Sequence, residues 1–387
     1  MCKSADLRNV PKGGKMREVG IYVHIPFCKQ KCDYCDFVSF ANKEDFQEQY
    51  MEALLEEINH CESQDLEVNT IYFGGGTPSY LPSHLIIKVL KTIRERFKIQ
   101  ENCEITIEIN PGTVDQQKLN DYFQSGFNRI SIGLQAVQDH LLETIGRIHT
   151  YSAFETCYQE AKKAGFQNIN VDLMLGLPTQ SVEDLQESVQ KVMHLNPTHI
   201  SLYSLILEKN TVLEKQIKEG VYALPAEEDE RKMYHLAKKL LEQRGYIQYE
   251  ISNFAQKGFE SQHNLNCWKQ KEYLGFGLAA HSYFQKTRFS NTENLHQYIH
   301  NPTESRIIHE KQTEEMQRKE YMLLGFRLLE GISISEFERK FEINPLFYFR
   351  FEIAKLVEED LIEVDLDDIK LTSKGLDYAN LVFEEFV

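Results

Sequence analysis

Runs that read as strand and runs that read as helix alternate through the first two thirds of this 387-residue chain, and that alternation restricts the fold more than any other feature. "VGIYVHI" (19–25), "TIYFGG" (70–75), "EITIEIN" (104–110), "RISIGLQ" (129–135), "NINVDLML" (168–175) and "HISLYSL" (199–205) are short and aliphatic. Stretches with helical spacing lie between and after them, near 44–60, 82–98, 115–124, 138–144, 151–164, 181–193 and 226–243. Strand–helix units in series join parallel strands by right-handed crossovers. Six such units predict an α/β fold, a partial (β/α)6 TIM-like barrel, with an open doubly wound sheet as the second choice. A barrel puts functional groups at the C-terminal ends of its strands. Candidates stand there: three cysteines after the first strand, "GGGTP" after the second, Glu108 ending the third, Gln135 ending the fourth and Asp172 late in the fifth.

The pattern breaks after the last of these helices. The chain divides into an N-terminal tail (1–18), the barrel (19–250), a connecting segment (251–311) and a mainly helical C-terminal part (312–387). The connecting segment has strand fragments, glycines and aromatics without a clean period. Within it "GFGLAA" (275–280) fits a dinucleotide-binding pattern only formally, since no clean strand–helix unit surrounds it and no acid follows in a second strand. It reads as a close-packed loop, with His281 beside it as a further site candidate. The C-terminal part has the element order of a winged-helix module. Many such modules bind DNA, but residues 316–387 carry 9 Lys and Arg against 16 Asp and Glu. With a formal charge of −16 on the whole chain, nucleic acid is not an expected partner. No apolar run is long enough to span a bilayer and the first 20 residues show no signal peptide, so a cytoplasmic protein is expected.

In a reducing compartment the eight cysteines are not expected to pair as disulfides. Cys28, Cys32 and Cys35 cluster in "HIPFCKQKCDYCDF", on a loop where their thiolates can converge. Structural zinc would want a fourth ligand, for which only His24 or Asp33 is near in sequence. An iron–sulfur cubane would keep one iron open for a ligand. The other residues suit a ligand site as well. Gly74, Gly75 and Gly76 allow close backbone approach. Thr77 offers a hydroxyl. Glu108 and Asp172 are carboxylates on otherwise apolar strands, so each must face a pore, a ligand or a partner.

The C-x3-C-x2-C array with Tyr34 before its last cysteine resembles the radical S-adenosylmethionine superfamily. "YVHIPFC", "FGGGTPSYL", "EINPGT", "RISIGLQ" and "VDLMLGLP" resemble one branch of it, the oxygen-independent coproporphyrinogen III oxidases and their relatives, over about residues 19–290 and the C-terminal part. The resemblance implies a barrel of the radical S-adenosylmethionine type. It implies a 4Fe-4S cluster on Cys28, Cys32 and Cys35, whose open iron chelates the methionyl group and whose electron cleaves the sulfonium to a 5′-deoxyadenosyl radical. It implies S-adenosylmethionine contacts from Tyr22, Tyr34, Gly75, Gly76, Thr77, Glu108, Gln135, Arg147 and Asp172, with Ile206 packing on the adenosine. Arg147 suits a carboxylate because its fork is bidentate.

Two departures bear on activity. The decarboxylating oxidases carry a further cysteine where this chain has Phe37, and they have a longer N-terminal segment. Phe37 itself is expected to pack. Both departures resemble the sister group of heme chaperones, the HemW type, which implies heme as cargo, heme-accepting proteins such as respiratory hemoproteins as partners, an electron donor, transient membrane association through acceptors, and room for a homodimer. "HNLNCW" (263–268) matches that group's HNxxYW pattern except that Cys267 replaces the tyrosine. His263 is the expected axial ligand of heme iron. Radical decarboxylation of coproporphyrinogen III is the competing expectation.

Overall fold

The computed structural model describes residues 16–387; most of the tail, with Cys2, lies outside the described residues. Six parallel strands form the heart of the molecule: β1 (Arg17–Ile25), β2 (Leu66–Gly75), β3 (Lys98–Ile109), β4 (Arg129–Gln135), β5 (Asn168–Leu175) and β6 (His199–Ser204). They are paired in sequence order, and β1 does not pair with β6. The result is a partial barrel. Its helices α1 (Gln47–His60), α2 (Ser83–Arg96), α3 (Gln116–Ser125), α4 (Asp139–Thr144), α5 (Tyr151–Ala164), α6 (Val182–Leu195), α7 (Val212–Lys218) and α8 (Glu227–Gln243) occupy the connections. The helix α7 has no counterpart in the sequence reading, and β3 starts six residues before its expected position.

Period-two alternation explains why these runs are strands with two different faces. Ile71, Phe73, Ile105, Ile107, Ile130 and Ile132 join the apolar core, nearly all fully buried. Their neighbours Thr70, Tyr72, Glu104, Thr106, Glu108, Arg129 and Ser131 turn to the inside, where register aligns them across the strands: Tyr22 beside Tyr72, Tyr72 beside Thr106, Glu108 beside Ser131 and Asp172 beside Ser201. The inside is thus a stack of polar layers walled by an apolar core. Local signals fix the helix ends. Ser181 and Asp184 form a capping box on α6, Asp115 and Thr150 cap α3 and α5, and Gly126 and Gly165 end those two helices with positive φ.

The segment that lacked a period completes the sheet. β7 (Ile247–Glu250) and β8 (Asn253–Ala255) form a hairpin whose second strand pairs antiparallel with β6. These two strands fall on either side of the boundary drawn at 250. After α9 (Gln262–Trp268), β9 (Tyr273–Phe276) pairs parallel with β1. β10 (His281–Phe284), β11 (Thr287–Asn291), α10 (Leu295–His300) and β12 (Arg306–Lys311) follow, and the sheet reaches twelve strands. Strands of three to six residues are too short to display a period by themselves. In "GFGLAA" close packing does require glycine: a Cβ on Gly275 would lie 2.1 Å from the His281 carbonyl oxygen.

The C-terminal part has its own core. Helices α11 (Glu314–Gly325), α12 (Ile334–Phe341) and α14 (Arg350–Glu358), with the short α13 (Pro345–Tyr348) between them, pack with a three-stranded antiparallel sheet at 332–371. Phe326, Phe337, Phe349 and Phe386 are buried there against one another. Among the described residues no helix is long and apolar enough to cross a membrane.

Candidate functional site

The loop after β1 is stitched to its surroundings by backbone hydrogen bonds. Cys28 N–H donates to Phe40 O (2.9 Å), Phe40 N–H to Pro26 O (2.7 Å) and Asp33 N–H to Ile145 O (3.0 Å). From the next strand Gly76 N–H donates to Ile25 O (2.8 Å) and Thr77 N–H to Phe27 O (2.9 Å). Cys28, Cys32 and Cys35 therefore open onto one cavity of about 350 Å³. Tyr34, Gly75, Gly76, Thr77, Glu108, Gln135, Arg147 and Asp172 line the same cavity, so eleven of the fourteen site residues expected from the sequence share one wall.

Glycine is needed at this wall. A Cβ on Gly76 would lie 2.9 Å from Ile25 O and 3.0 Å from Cys28 Sγ; Gly75 has φ +108° and a Cβ there would lie 2.5 Å from the His24 ring. Burial pushes the Cys28 and Cys35 thiols up, and Thr77 Oγ1 eases the first by donating to Cys28 Sγ at 3.6 Å. Metal binding there must displace protons. Neither spare zinc ligand joins the thiols. His24 Nδ1 is hydrogen-bonded to the Tyr22 hydroxyl (3.0 Å) and Nε2 to Val38 O (2.9 Å), and Asp33 accepts from Gln216. Among the described residues no three His, Cys, Asp or Glu side chains gather closely enough for a single ion.

The carboxylates face inward and lack cationic partners. Among the described residues neither Glu108 nor Asp172 forms an ion pair. Burial pushes the Glu108 carboxyl up to about 7, against the Tyr72 hydroxyl that donates to it at 2.8 Å. Burial also pushes Asp172 up, although Asn170 (2.8 Å) and Ser131 (3.1 Å) donate to it. Arg147 is half-buried, with Nη1 on Asn110 Oδ1 (2.8 Å) and Nη2 on the Tyr34 hydroxyl (3.2 Å), while its buried Nε has no partner. Gln135 holds φ at +76°, a left-handed conformation rare outside glycine, where β4 slips register against β5. The arrangement offers thiols, close backbone, a guanidinium and two acceptors to one small polar ligand.

Asn110 was missed as a site residue, although it ties Arg147 to Thr77 through its amide (2.9 Å to Thr77 Oγ1). Tyr72 and Ser131 were missed as well; alternation along β2 and β4 places both on the face of Glu108, a signal the sequence contained.

Three expected residues stand elsewhere. Tyr22 lies behind the wall, bonded to His24 and stacked on Tyr72 with centroids 6.3 Å apart. Ile206 lies beyond the end of β6, 68% exposed and outside the residues lining the cavity. His263 sits at the other end of the barrel. Its helix α9 is lodged in that end by Glu104, whose carboxylate accepts the Gln262 and His263 N–H groups (both 3.1 Å). His263 Nδ1 and Thr70 Oγ1 are hydrogen-bonded at 3.0 Å, and the ring stacks on Tyr72 at 5.1 Å. Burial holds its imidazole down near 4, neutral. The axial-ligand expectation meets a closed environment, because His263 is buried and outside the cavity. Cys267 is half-buried, its thiol pushed up to about 11 by burial. His281 of β10 is stacked on His309 of the edge strand β12. Phe37 also departs from expectation: it is 62% exposed and does not pack in the core.

Comparison with known proteins agrees with this geometry. Residues 22–192 match the family described as Radical SAM superfamily, and residues 312–378 match the HemN C-terminal domain. A protein named heme chaperone HemW from Lactococcus lactis is 38% identical, with 95% of this chain and 96% of that protein covered. Its namesake from Bacillus subtilis is 36% identical, with 95% and 98% covered. Among solved structures, the coproporphyrinogen III oxidase HemN from Escherichia coli, described as a radical SAM enzyme, superposes with a TM-score of 0.85 at 25% identity over 96% of this chain and 91% of that one.

Proposed function

The chain belongs to the radical S-adenosylmethionine superfamily, on its HemW-type branch, and from that premise we propose that it is a heme chaperone: it binds heme and hands it to heme-accepting proteins. The observation that carries this reading is likeness along nearly the whole chain to proteins of that name. Phe37 supports it, standing where decarboxylating relatives are expected to carry a further cysteine.

In this reading Cys28, Cys32 and Cys35 hold a 4Fe-4S cluster, and the residues lining the same cavity hold S-adenosylmethionine. When bound, the cluster supplies an open iron and a low-potential electron, and S-adenosylmethionine supplies the sulfonium that can accept it. Gly75 and Gly76 bring bare backbone to the ligand. Arg147 offers its unpartnered Nε–H to a carboxylate. Glu108 and Asp172 accept from hydroxyl or ammonium groups, and a cationic ligand beside them favours their ionised forms against the cost of burial. An electron donor, a cytoplasmic setting with transient membrane association through acceptors, and a homodimer complete the reading.

The competing reading, an oxidase acting on coproporphyrinogen III, draws on the superposition with HemN. An anaerobically reconstituted sample assayed for both activities separates them. The expected outcome is a Soret shift on hemin addition, delivery of heme to an apo-hemoprotein, and no decarboxylation. Robust decarboxylation without heme uptake overturns the proposal.

A further inference from the structure

The cavity changes character from its floor to its lip. Glu108, Asp172 and Arg147 line it inside, whereas Phe37 (62% exposed), Ile148 (48%) and Tyr203 (40%) line it and also face solvent. Single exposed apolar residues are ordinary on a protein surface, and here three of them share the lining of one cavity. Their positions are fixed. The Phe37 carbonyl accepts from Lys31 Nζ (2.9 Å) and Ser39 Oγ (3.3 Å), which holds the backbone while the ring points outward. The loop bearing Ile148 is tied to the cysteine loop by Gln30 Nε2 donating to Gly146 O (3.0 Å) and by the Asp33 bond to Ile145 O. Lys29 and Lys31 line the same mouth and are exposed. An aromatic ring, an aliphatic side chain and a tyrosine around an opening, with two ammonium groups beside them, match a flat, largely apolar molecule that carries carboxylates at its edge.

We propose that this lip is the docking site of the heme cargo, with Phe37, Ile148 and Tyr203 against the macrocycle and Lys29 and Lys31 facing its propionates. The inference rests on the heme-chaperone reading and adds the place. Heme then lies over the cluster cavity, at the opposite end of the barrel from His263, and the position taken by cysteine in the oxidases becomes a contact for cargo. Lysines suit the propionates as point charges whose stems can lie along the ring edge, and Lys31 keeps further N–H donors beyond the one on the Phe37 carbonyl.

The test is a hemin titration of the reconstituted full chain, followed at the Soret band, with iron and sulfide content as the control for folding. Phe37 and Ile148 project into solvent, so Phe37→Ser and Ile148→Ser should fold with normal cluster content. Each should weaken heme binding about tenfold, as loss of a central apolar contact does, while Phe37→Leu stays within about threefold. The Lys29→Gln, Lys31→Gln double variant should weaken binding and flatten its salt dependence. Wild-type heme affinity in both serine variants overturns the placement and leaves the chaperone reading intact, as does a loss of transfer to an acceptor without a loss of heme affinity, which would make the lip a protein contact. Absence of any Soret change in the wild type overturns the chaperone reading and this inference with it.

Discussion

The mouth and the floor of the barrel are built from the same six strands, and both are lined by polar side chains, yet the cavity that the cysteines border opens at the mouth. At the floor several groups have partners within the chain, although among the described residues the buried Arg129 Nε and Thr106 Oγ1 have none. Glu104 accepts two N–H groups from α9, His263 is bonded to Thr70, and His199 is held between Asn170 (2.6 Å) and Tyr249 (2.8 Å). At the mouth neither carboxylate forms an ion pair among the described residues, Arg147 keeps an unused donor, and glycines stand where side chains would close the space. The difference teaches that a polar barrel interior is not by itself a binding site. What distinguishes the mouth is that its unused hydrogen-bonding capacity borders an open cavity.

The largest effect that would break this comparison concerns the cysteines. Cys28→Ala, Cys32→Ala and Cys35→Ala should each lose the cluster entirely, whereas Cys61→Ala and Cys103→Ala should keep about four irons and four sulfides per chain. Metal and sulfide analysis after anaerobic reconstitution decides it. Zinc in stoichiometric amount with no iron would remove the cluster from the account.

Next comes the floor. His263→Ala removes a stacked ring and a buried hydrogen bond, so it should cost about 2–4 kcal/mol in chemical denaturation and leave iron content and the Soret band of bound heme unchanged. A Soret shift at unchanged stability would restore His263 as the iron ligand and reverse the roles of the two ends.

A smaller effect sharpens the mouth. The folded state holds the Glu108 proton up to about pH 7, above the ordinary carboxylate value. Between pH 4.5 and 7 the folded state therefore binds more protons at this group than the unfolded chain, and the contribution of Glu108 to stability falls as pH rises through that window. Because the carboxyl borders an open cavity, the expected change is about 1–2 kcal/mol. Thermal melts of ligand-free wild type and Glu108→Gln at pH 5 and pH 8 measure it: the gap between the two proteins should shift against the wild type at the higher pH. An unchanged gap would mean that the carboxylate is already solvated or paired.

Much of the mouth was legible in the sequence because each of its parts sits at a strand end, where alternation and loop position decide which way a side chain points. Glu108 and Asp172 were readable as inward carboxylates on apolar strands, and Gly75 and Gly76 as points of close approach. The floor was not legible in this way. Whether His263 is ligand or seal depends on where α9 docks, and that docking is set by Glu104 from a strand 158 residues earlier in the chain. Spacing within "HNLNCW" contains no trace of it. The strands beyond β8 escaped because each is too short to show a period, and they are strands only by pairing with β1 and with one another. Phe37 and Ile206 show the limit for single residues. Both are apolar, and exposure could be decided only by the path of their loops.

The central claim, that the mouth binds and the floor seals, is tested most directly by equilibrium dialysis of S-adenosylmethionine against cluster-loaded protein in three forms: wild type, Asp172→Asn and His263→Gln. The account predicts at least about tenfold weaker binding for Asp172→Asn and wild-type binding for His263→Gln, with equal iron content in all three. Wild-type affinity in Asp172→Asn together with lost affinity in His263→Gln would contradict it.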